Sequence, residues 1–215
     1  MRYDNIKLLI FDLDGTLIDS KRDIATAVNL TFREIGLPEK EPEVIYGYVG
    51  DGVRMLIQRS LGNDCRYNFD EAISIFRRHY LAHLLDTTRF YPEIEEVLDY
   101  YRNKKKAIVT NKPIEYTSKI IDGLGVNDRF HIVVGGERGY SLKPEPDMIL
   151  KVIDELKVNN ELAVLIGDSI NDILAARAAG IRSCAVGYGL GEADILKESK
   201  PDIFCKRVED LKGLF

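Results

Sequence analysis

The sequence predicts an α/β fold, in which a doubly wound parallel sheet carries an inserted α-helical cap. Short apolar runs alternate with amphipathic segments from residue 92 to residue 186, and one further apolar run occupies residues 6–11. Alternating strands and helices favour a parallel sheet covered by helices on both faces. Residues 20–88 instead repeat apolar positions at helical spacing without a strand pattern, which predicts a block of helices.

The helical block is predicted to contain three helices. Their apolar faces are Ile24, Val28, Phe32 and Ile35; Val53, Leu56, Ile57 and Leu61; and Ile73, Phe76, Tyr80 and Leu84. Because the block directly follows the first predicted strand, we expect it to close over a ligand at the end of that strand. The predicted division is therefore a core of residues 1–16 and 92–215 and a helical cap of residues 17–91.

The rest of the chain supplies the remaining elements of the predicted core. Apolar runs predict strands at residues 107–109, 132–134, 164–166 and 183–186. Helical spacing predicts helices near residues 94–101, 114–124, 148–156 and 170–179. These elements alternate along the chain, as a doubly wound sheet requires.

Composition excludes several classes of partner. The net charge of -5 comes from 35 acidic and 30 basic residues, and Lys104–Lys106 is the longest basic run, so no nucleic-acid partner is expected. Cys65, Cys184 and Cys205 form no Cys-x-x-Cys pair and indicate reduced thiols in a cytoplasmic protein. The apolar run Leu8–Phe11 is too short for a signal peptide or a membrane span. We expect a monomer or a homodimer without a membrane partner.

Polar residues follow the predicted strands at the points where the apolar runs end. They are Asp12 and Asp14 after the first strand, Thr110 and Asn111 after the second, Lys143 in a loop, and Asp168 and Asp172 after a later strand. In open α/β sheets, ligands bind beyond the carboxyl ends of the strands, so we expect these side chains to share one cleft.

A cluster of four carboxylates needs a positive partner. At about 4 Å each pair repels by roughly 1 kcal/mol in water, or about 4 kcal/mol at an effective dielectric constant near 20. A hard divalent cation with oxygen ligands would offset this repulsion, and Mg²⁺ suits a site with few carboxylates and a phosphate oxygen. The expected cofactor is therefore Mg²⁺.

The same segments resemble the motifs of the haloacid dehalogenase superfamily, in the correct order and along nearly the whole chain. The matching segments are Phe11–Leu17, Val109–Lys112, Lys143–Pro144 and Gly167–Asp172. The resemblance implies a Rossmann-like core and a hydrolase. Within the superfamily, the helical block resembles the cap of small-molecule phosphatases, and residues 48–56 and 109–113 are similar to phosphoglycolate phosphatases.

The resemblance implies catalytic roles for five residues. Asp12 would attack phosphorus and form an aspartyl-phosphate intermediate. Asp14 would protonate the leaving oxygen and then deprotonate the water that cleaves the intermediate. Thr110 and Asn111 would bind the phosphoryl oxygens of the substrate, and Lys143 would neutralise the charge that develops on them.

The resemblance also implies a metal site. Asp12, the backbone carbonyl of Asp14, and Asp168 would hold Mg²⁺. Asp172 would be a direct or water-mediated metal partner, or an anchor for Lys143. Lys112 is the alternative candidate for the cationic role, and Lys143 is favoured because Pro144 follows it, as in the family.

Two features of the cap are candidates for substrate contact. Arg54 could bind a substrate carboxylate, because guanidinium pairs with carboxylate through two hydrogen bonds, but it could equally be a solvated helical residue. The Gly50–Gly52 segment could reach the substrate, or it could simply be a turn before a helix.

The favoured function is Mg²⁺-dependent hydrolysis of a small phosphorylated metabolite, with 2-phosphoglycolate as the best single candidate. A phosphomutase resembling β-phosphoglucomutase, a pyrophosphatase or a nucleotidase remains an alternative, because the cap selects the leaving group. A non-catalytic binding protein is disfavoured, since it would not need Asp12, Asp14, Lys143 and Asp168 together.

Overall fold

The computed structural model describes residues 3–62, 68–137 and 139–215, so Cys65 lies outside the described residues. The strands are β1 (Leu8–Phe11), β2 (Ile18–Asp19), β3 (Arg89–Phe90), β4 (Lys105–Pro113), β5 (Ile132–Gly136), β6 (Ala163–Gly167), β7 (Arg182–Val186) and β8 (Ile203–Cys205). The helices are α1 (Lys21–Glu34), α2 (Pro42–Tyr46), α3 (Gly52–Leu61), α4 (Phe69–Ala82), α5 (Ile94–Tyr100), α6 (Ile114–Gly123), α7 (Asp147–Leu156), α8 (Ile170–Ala178) and α9 (Ala193–Glu198).

Six of these strands form a parallel sheet in the order β5-β4-β1-β6-β7-β8. β1 is central and fully buried, as its uninterrupted apolar sequence predicts for a parallel strand. The chain moves from β1 outward to β4 and β5, and then crosses back to β6 on the other side of β1. The ends of β4, β1 and β6 therefore meet at the point where the strand order reverses, which is where ligands bind in such sheets.

The alternation of side chains along β1 divides the core into two layers. Leu9 and Phe11 belong to the cluster of buried residues on one face of the sheet, and Leu8 and Ile10 belong to the cluster on the other face. Helix α6 contributes to the first cluster, through residues such as Ile120, and helix α7 contributes to the second. The predicted doubly wound α/β fold is confirmed.

The predicted helical block contains α1, α3 and α4, at the positions that the apolar spacing indicated. The short helix α2 was not predicted. The antiparallel pair β2–β3 was also missed, because each of its strands is only two residues long. This pair connects the helical block to the sheet, and it lies beside the expected boundaries at residues 16 and 91. The division into core and cap stays a prediction.

The elements predicted from the sequence also stop at residue 186, before the fold ends. Helix α9 and strand β8, which pairs with β7, extend the fold beyond residue 186. Cys184 and Cys205 lie on these neighbouring strands as buried free thiols, with their sulfur atoms 3.8 Å apart.

Among the described residues, every helix is too short or too polar to cross a membrane.

A buried carboxylate connects the start of α1 to the segment that returns to the sheet. Asp23 is 1% exposed and accepts hydrogen bonds from the backbone N–H and the hydroxyl of both Thr87 and Thr88, at 2.6 to 3.0 Å. Burial alone would raise the pKa of Asp23, but these hydrogen bonds outweigh it and lower the pKa. Asp23 therefore holds the start of α1 against the Thr87–Thr88 segment, which leads back to the sheet.

We expect Asp23→Ala to lower the free energy of unfolding by about 2–4 kcal/mol, because it leaves four donors without their partner, two of them on the buried Thr88. Urea titration measures this loss. The control is Asp194→Ala, since the side chain of Asp194 is 92% exposed and its removal should cost less than about 0.5 kcal/mol. Equal midpoints for the two variants would contradict the role assigned to Asp23.

Candidate active site

Asp12 lies directly beyond β1, and its backbone is fixed by the neighbouring strand. Its N–H donates to the carbonyl of Ile166, at 2.9 Å, and only 8% of the residue is exposed. Its Oδ1 atom lies 2.8 Å from Nζ of Lys143, but accepts no well-aligned hydrogen bond from the described residues. Asp12 is thus a buried carboxylate with an unfilled hydrogen-bonding position.

Lys143 provides the positive charge next to Asp12. Its ammonium also donates to Oδ1 of Asp172, at 2.6 Å, and to the carbonyl of Val109, at 2.9 Å. Burial lowers the pKa of Lys143, but the charges of Asp12 and Asp172 outweigh this effect and raise it. Lys143 therefore remains an ammonium at neutral pH.

Asp172 uses both of its carboxylate oxygens within the protein. Oδ1 accepts from Lys143, and Oδ2 accepts from the backbone N–H and the hydroxyl of Ser169, at 3.0 and 2.6 Å. The Ser169 hydroxyl in turn accepts from the N–H of Asp172, which completes a capping box at the start of α8. Of the alternatives left open for Asp172, this placement favours an anchor for Lys143.

Asp168, directly after β6, is held from two sides. Its Oδ1 accepts from the hydroxyl of Thr16, at 3.0 Å, and its Oδ2 accepts from the N–H of Leu190, at 2.8 Å. Burial, and then the charges of Asp12 and Asp172, raise the pKa of Asp168 to about 8. Burial also raises the pKa of Asp12, to about 6, although Lys143 opposes this shift.

These carboxylates fit a divalent cation. Oxygens of Asp12, Asp168 and Asp172 all lie within 4.8 Å of one another, and all three residues are buried. When all three carboxylates are ionised, they and the ammonium of Lys143 carry an excess of two negative charges, which one divalent cation would balance. Burial is the main cause of the raised pKa of Asp168, and the charges of Asp12 and Asp172 add to it. Hard oxygen donors of this kind suit Mg²⁺, and a contribution from the Asp14 carbonyl stays a prediction.

Two glycines allow the backbone to pack against Asp168. A Cβ atom on Gly15, whose φ is +86°, would lie 2.1 Å from Oδ2 of Asp168. A Cβ atom on Gly189 would lie 2.3 Å from the carbonyl oxygen of Gly15 and 2.4 Å from Cβ of Asp168. The loop around Gly189 therefore positions Asp168, a role that the sequence analysis did not assign to it.

Asp14 points to a different set of partners. The Ser20 hydroxyl donates to its Oδ1, and the ammonium of Lys112 lies 3.0 Å from each carboxylate oxygen. Lys112 also donates to the hydroxyl of Tyr80 on α4, at 2.5 Å. The two candidate cations thus occupy separate places, Lys143 beside Asp12 and Lys112 beside Asp14.

Thr110 and Asn111 lie near the end of β4, where the register of β4 against β5 shifts. The Thr110 hydroxyl accepts from the N–H of Lys112, at 3.2 Å, and donates to none of the described residues. The Asn111 amide donates to the carbonyls of Gly50, at 3.0 Å, and Lys143, at 2.9 Å, and its oxygen accepts from the N–H of Lys143, at 2.8 Å. Asn111 therefore connects the cap to Lys143.

The two candidates for substrate contact, the Gly50–Gly52 segment and Arg54, differ in their position relative to the cavity. Gly50 and Gly52 line the cavity, so the segment reaches the site, and Asp51 between them accepts a hydrogen bond from Asn171. Arg54, in contrast, does not line the cavity. Its side chain is 66% exposed, pairs with Asp70 at 3.3 Å and lies over the ring of Phe69. Arg54 on α3 thus faces solvent in this structure, and its contact with a substrate stays a prediction.

A narrow cavity, in which the centres of water molecules can occupy about 40 Å³, lies between the helical block and the sheet edge. Its polar floor comes from the ends of β1 and β4 and consists of Asp12, Asp14, Thr110, Asn111 and Lys112. Its apolar wall comes from the helical block and includes Ile24, Val49, Val53, Leu56 and Phe76. This half-open arrangement can bind a small anionic ester above the carboxylate of Asp12.

Several residues of the site could not be identified from the sequence. Lys112 was considered only as a substitute for Lys143, and Tyr80 was assigned to the core because it falls at helical spacing. The Ser20 hydroxyl, which binds Asp14, also had no assigned role, and the Thr16 hydroxyl was expected to cap the following segment and not to bind Asp168. Only Lys112, adjacent to the Thr110–Asn111 pair, had a signal in the sequence.

Comparison with known proteins agrees with this geometry. Residues 9–186 match the family described as haloacid dehalogenase-like hydrolase. The chain is 37% identical over 211 residues to a phosphoglycolate phosphatase of Aquifex aeolicus, covering 97% of this chain and 96% of that protein. It is 34% identical over 210 residues to a phosphoglycolate phosphatase of Colwellia psychrerythraea, covering 94% and 93%.

Solved structures show the same similarity. The crystal structure of a predicted phosphoglycolate phosphatase from Haemophilus somnus superimposes with a TM-score of 0.91 at 28% identity, covering 96% of each chain. A haloacid dehalogenase-like hydrolase from Streptococcus pneumoniae superimposes with a TM-score of 0.88 at 27% identity, covering 97% of this chain and 98% of that one. The whole described chain therefore follows the architecture of these proteins.

We expect the chelator-treated protein to lose thermal stability as the pH rises from about 5 to about 8.5. Asp168 in the folded protein keeps its proton up to a pH of about 8, whereas in the unfolded chain it loses it near 3.8, so between these values the folded state binds more protons and stability falls with pH. Differential scanning calorimetry measures the trend. Asp168→Asn should flatten it, and an unchanged slope in that variant would contradict this assignment.

We expect Gly189→Ala to weaken Mg²⁺ binding by roughly tenfold or more, because the new methyl group would displace Asp168. Isothermal titration calorimetry measures the dissociation constant. Gly47→Ala is the matched control, since its Cβ would lie 3.6 Å from the nearest atom, the carbonyl oxygen of Val44. The same Mg²⁺ affinity in both variants would rule out the positioning role of this loop.

Proposed function

The chain belongs to the haloacid dehalogenase-like hydrolase family, and we propose that it is an Mg²⁺-dependent phosphatase that hydrolyses a small phosphate monoester through an aspartyl-phosphate on Asp12. The observation that carries this proposal is the position of the Asp12 carboxylate. It lies at the floor of the cavity, 2.8 Å from Lys143 and within 4.8 Å of the Asp168 carboxylate.

In the first step, a carboxylate oxygen of Asp12 forms a bond to phosphorus while the bond from phosphorus to the ester oxygen breaks. Asp14 gives its proton to the departing oxygen, which leaves as an alcohol. Both residues line the same cavity, and Ser20 and Lys112 hold the Asp14 carboxylate there. The nucleophile and the acid thus have separate environments.

In the second step, a water oxygen attacks phosphorus in the aspartyl-phosphate, and the bond to Asp12 breaks. Asp14 accepts the proton of the attacking water, so that inorganic phosphate is released and both carboxylates regain their initial state. Apolar side chains line the side of the cavity opposite to Asp12 and Asp14.

The phosphoryl oxygens need donors and positive charge. The unused hydroxyl hydrogen of Thr110 supports its role as a donor, and the ammonium of Lys143 would neutralise charge on these oxygens. Asn111 supports Lys143 through two hydrogen bonds to its backbone. We place Asn111 in the site as the residue that positions Lys143, with a contact to the phosphoryl group as its second role.

The proposed metal site consists of Asp12, the carbonyl of Asp14, and Asp168, with Asp172 acting through Lys143. When bound, Mg²⁺ would offset the excess negative charge of these carboxylates and bind a phosphoryl oxygen of the substrate. The proposed cap, residues 17–91, would cover the cavity from the side opposite to the core of residues 1–16 and 92–215.

The best candidate substrate is 2-phosphoglycolate. The curated relatives named phosphoglycolate phosphatase align with nearly the whole chain, including the cap that contributes the cavity wall. The cavity is small, and its cap side is apolar, which favours a short leaving group over a sugar or a nucleotide. A panel of phosphoglycolate, pyrophosphate, hexose phosphates and mononucleotides, assayed with and without Mg²⁺, tests this assignment.

We expect Asp12→Ala to abolish detectable phosphate release, because no other carboxylate takes the position of the nucleophile. Asp14→Asn should lower kcat by roughly 10²- to 10⁴-fold, since an amide cannot donate the required proton. Asp14→Asn should leave the dissociation constant of Mg²⁺ nearly unchanged, because the Asp14 side chain pairs with Lys112 and Ser20. Steady-state kinetics and calorimetry measure these effects.

The control for both variants is Asp194→Asn, which changes an exposed carboxylate that does not line the cavity. Circular dichroism establishes that each variant is folded. Full turnover by Asp12→Ala would refute the covalent route, and full turnover by Asp14→Asn would refute the assigned acid.

A further inference from the structure

We propose that Lys112, together with Tyr80, binds a second anionic group of the substrate, a carboxylate carried by the leaving group. This inference rests on the proposed phosphatase function and adds to it the residues that select the substrate. Lys112 follows Asn111 at the end of β4 and lines the cavity next to Asp14.

The ammonium of Lys112 is buried and is held by hydrogen bonds to Asp14 and Tyr80. Its side chain is 4% exposed, and its three N–H donors are directed at the two oxygens of Asp14 and the hydroxyl of Tyr80. Burying an ammonium costs free energy unless it is paired, so its position at a cavity wall requires these partners. The pairs keep an oriented positive charge beside the expected place of the leaving group.

Tyr80 is a rigid partner for this charge. The residue is 1% exposed, its ring stacks on Phe76 with centroids 5.5 Å apart, and it meets Tyr116 edge-on at 5.1 Å. Burial raises the pKa of Tyr80 well above its ordinary value, so the hydroxyl keeps its hydrogen. The oxygen accepts from Lys112, and the hydrogen bonds to none of the described residues, which leaves it available to a ligand.

The residues that line the cavity favour binding of a carboxylate beside Lys112. Among the residues described as lining it, Lys112 alone is cationic, and the cap contributes aliphatic and aromatic side chains. Arg54, the cap residue that could have bound a carboxylate, is paired with Asp70 at the surface. An organic acid with a short chain between its phosphate and its carboxylate would reach Lys112 without burying unpaired hydroxyls.

The same contact affects the acid of the reaction. In this structure Lys112 occupies both oxygens of Asp14. A substrate carboxylate that takes over one or more of the Lys112 donors would release Asp14 toward the ester oxygen. A substrate without that carboxylate would leave Asp14 paired, so Lys112 would favour the correct substrate both in binding and in the acid step.

The test compares 2-phosphoglycolate with ethyl phosphate, in which a methyl group replaces the carboxylate. For the wild-type protein, kcat/KM for 2-phosphoglycolate should exceed that for ethyl phosphate by roughly tenfold to a hundredfold, the range for a charge-assisted hydrogen bond. Lys112→Met should remove most of this ratio. The ratio cancels any loss of Asp14 function that affects both substrates equally.

Three further variants complete the test. Lys112→Arg should keep more of the ratio than Lys112→Met, because it retains a cation. Tyr80→Phe should lower the ratio by a smaller factor, since the ring packing is kept. Lys197→Met removes a lysine whose side chain is 54% exposed and should leave the ratio unchanged.

A wild-type ratio near one would overturn the proposal without any variant, and so would a ratio preserved in Lys112→Met. If Lys112→Met does not fold, Tyr80→Phe decides: a ratio equal to that of the wild-type protein overturns the proposal, and a lowered ratio supports it. Absence of turnover of either ester by the wild-type protein would overturn the phosphatase function itself.

Discussion

The site depends on the repulsion among buried carboxylates at the end of the central strand. Asp12, Asp168 and Asp172 approach within 4.8 Å, and Lys143 balances only part of their charge. Burial raises the pKa of Asp168 to about 8, which measures how unfavourable its charge is in this place. Much of the surrounding structure therefore supports these four side chains: Ser169 binds Asp172, Thr16 and Leu190 bind Asp168, and Asn111 holds the backbone of Lys143.

The central part of this arrangement could be predicted because it obeys local rules. A fully buried parallel strand is an apolar run in the sequence, and the polar residues after it lie at the ligand-binding edge of the sheet. Asp12, Asp14, Thr110, Asn111, Asp168 and Asp172 were found in this way, and Lys143 by its Lys-Pro motif. The strands β1, β4, β5, β6 and β7 follow from the same periodicity. Physical reasoning about one position and its neighbours suffices for such features.

Other features depend on contacts between distant parts of the chain. Tyr80 looks like any core residue of α4, and only the fold brings its hydroxyl to Lys112, 32 positions away. Ser20 and Gly189 are equally inconspicuous in the sequence. Arg54 shows the opposite case: its chemistry suits a carboxylate, but only the fold reveals that its side chain pairs with Asp70 and faces solvent. The pair β2–β3 was missed because two residues cannot display a period.

Asn111 carries a constraint that follows from the stoichiometry of a primary amide. Its nitrogen has two hydrogens, and one is given to the cap at Gly50 while the other is given to the carbonyl of Lys143. A third acceptor, such as an incoming phosphoryl oxygen, can be served only if one of these bonds is surrendered. A ligand oxygen and the Gly50 carbonyl therefore compete for the same amide hydrogen, and the strength of the existing hydrogen bond sets the cost of forming the new one.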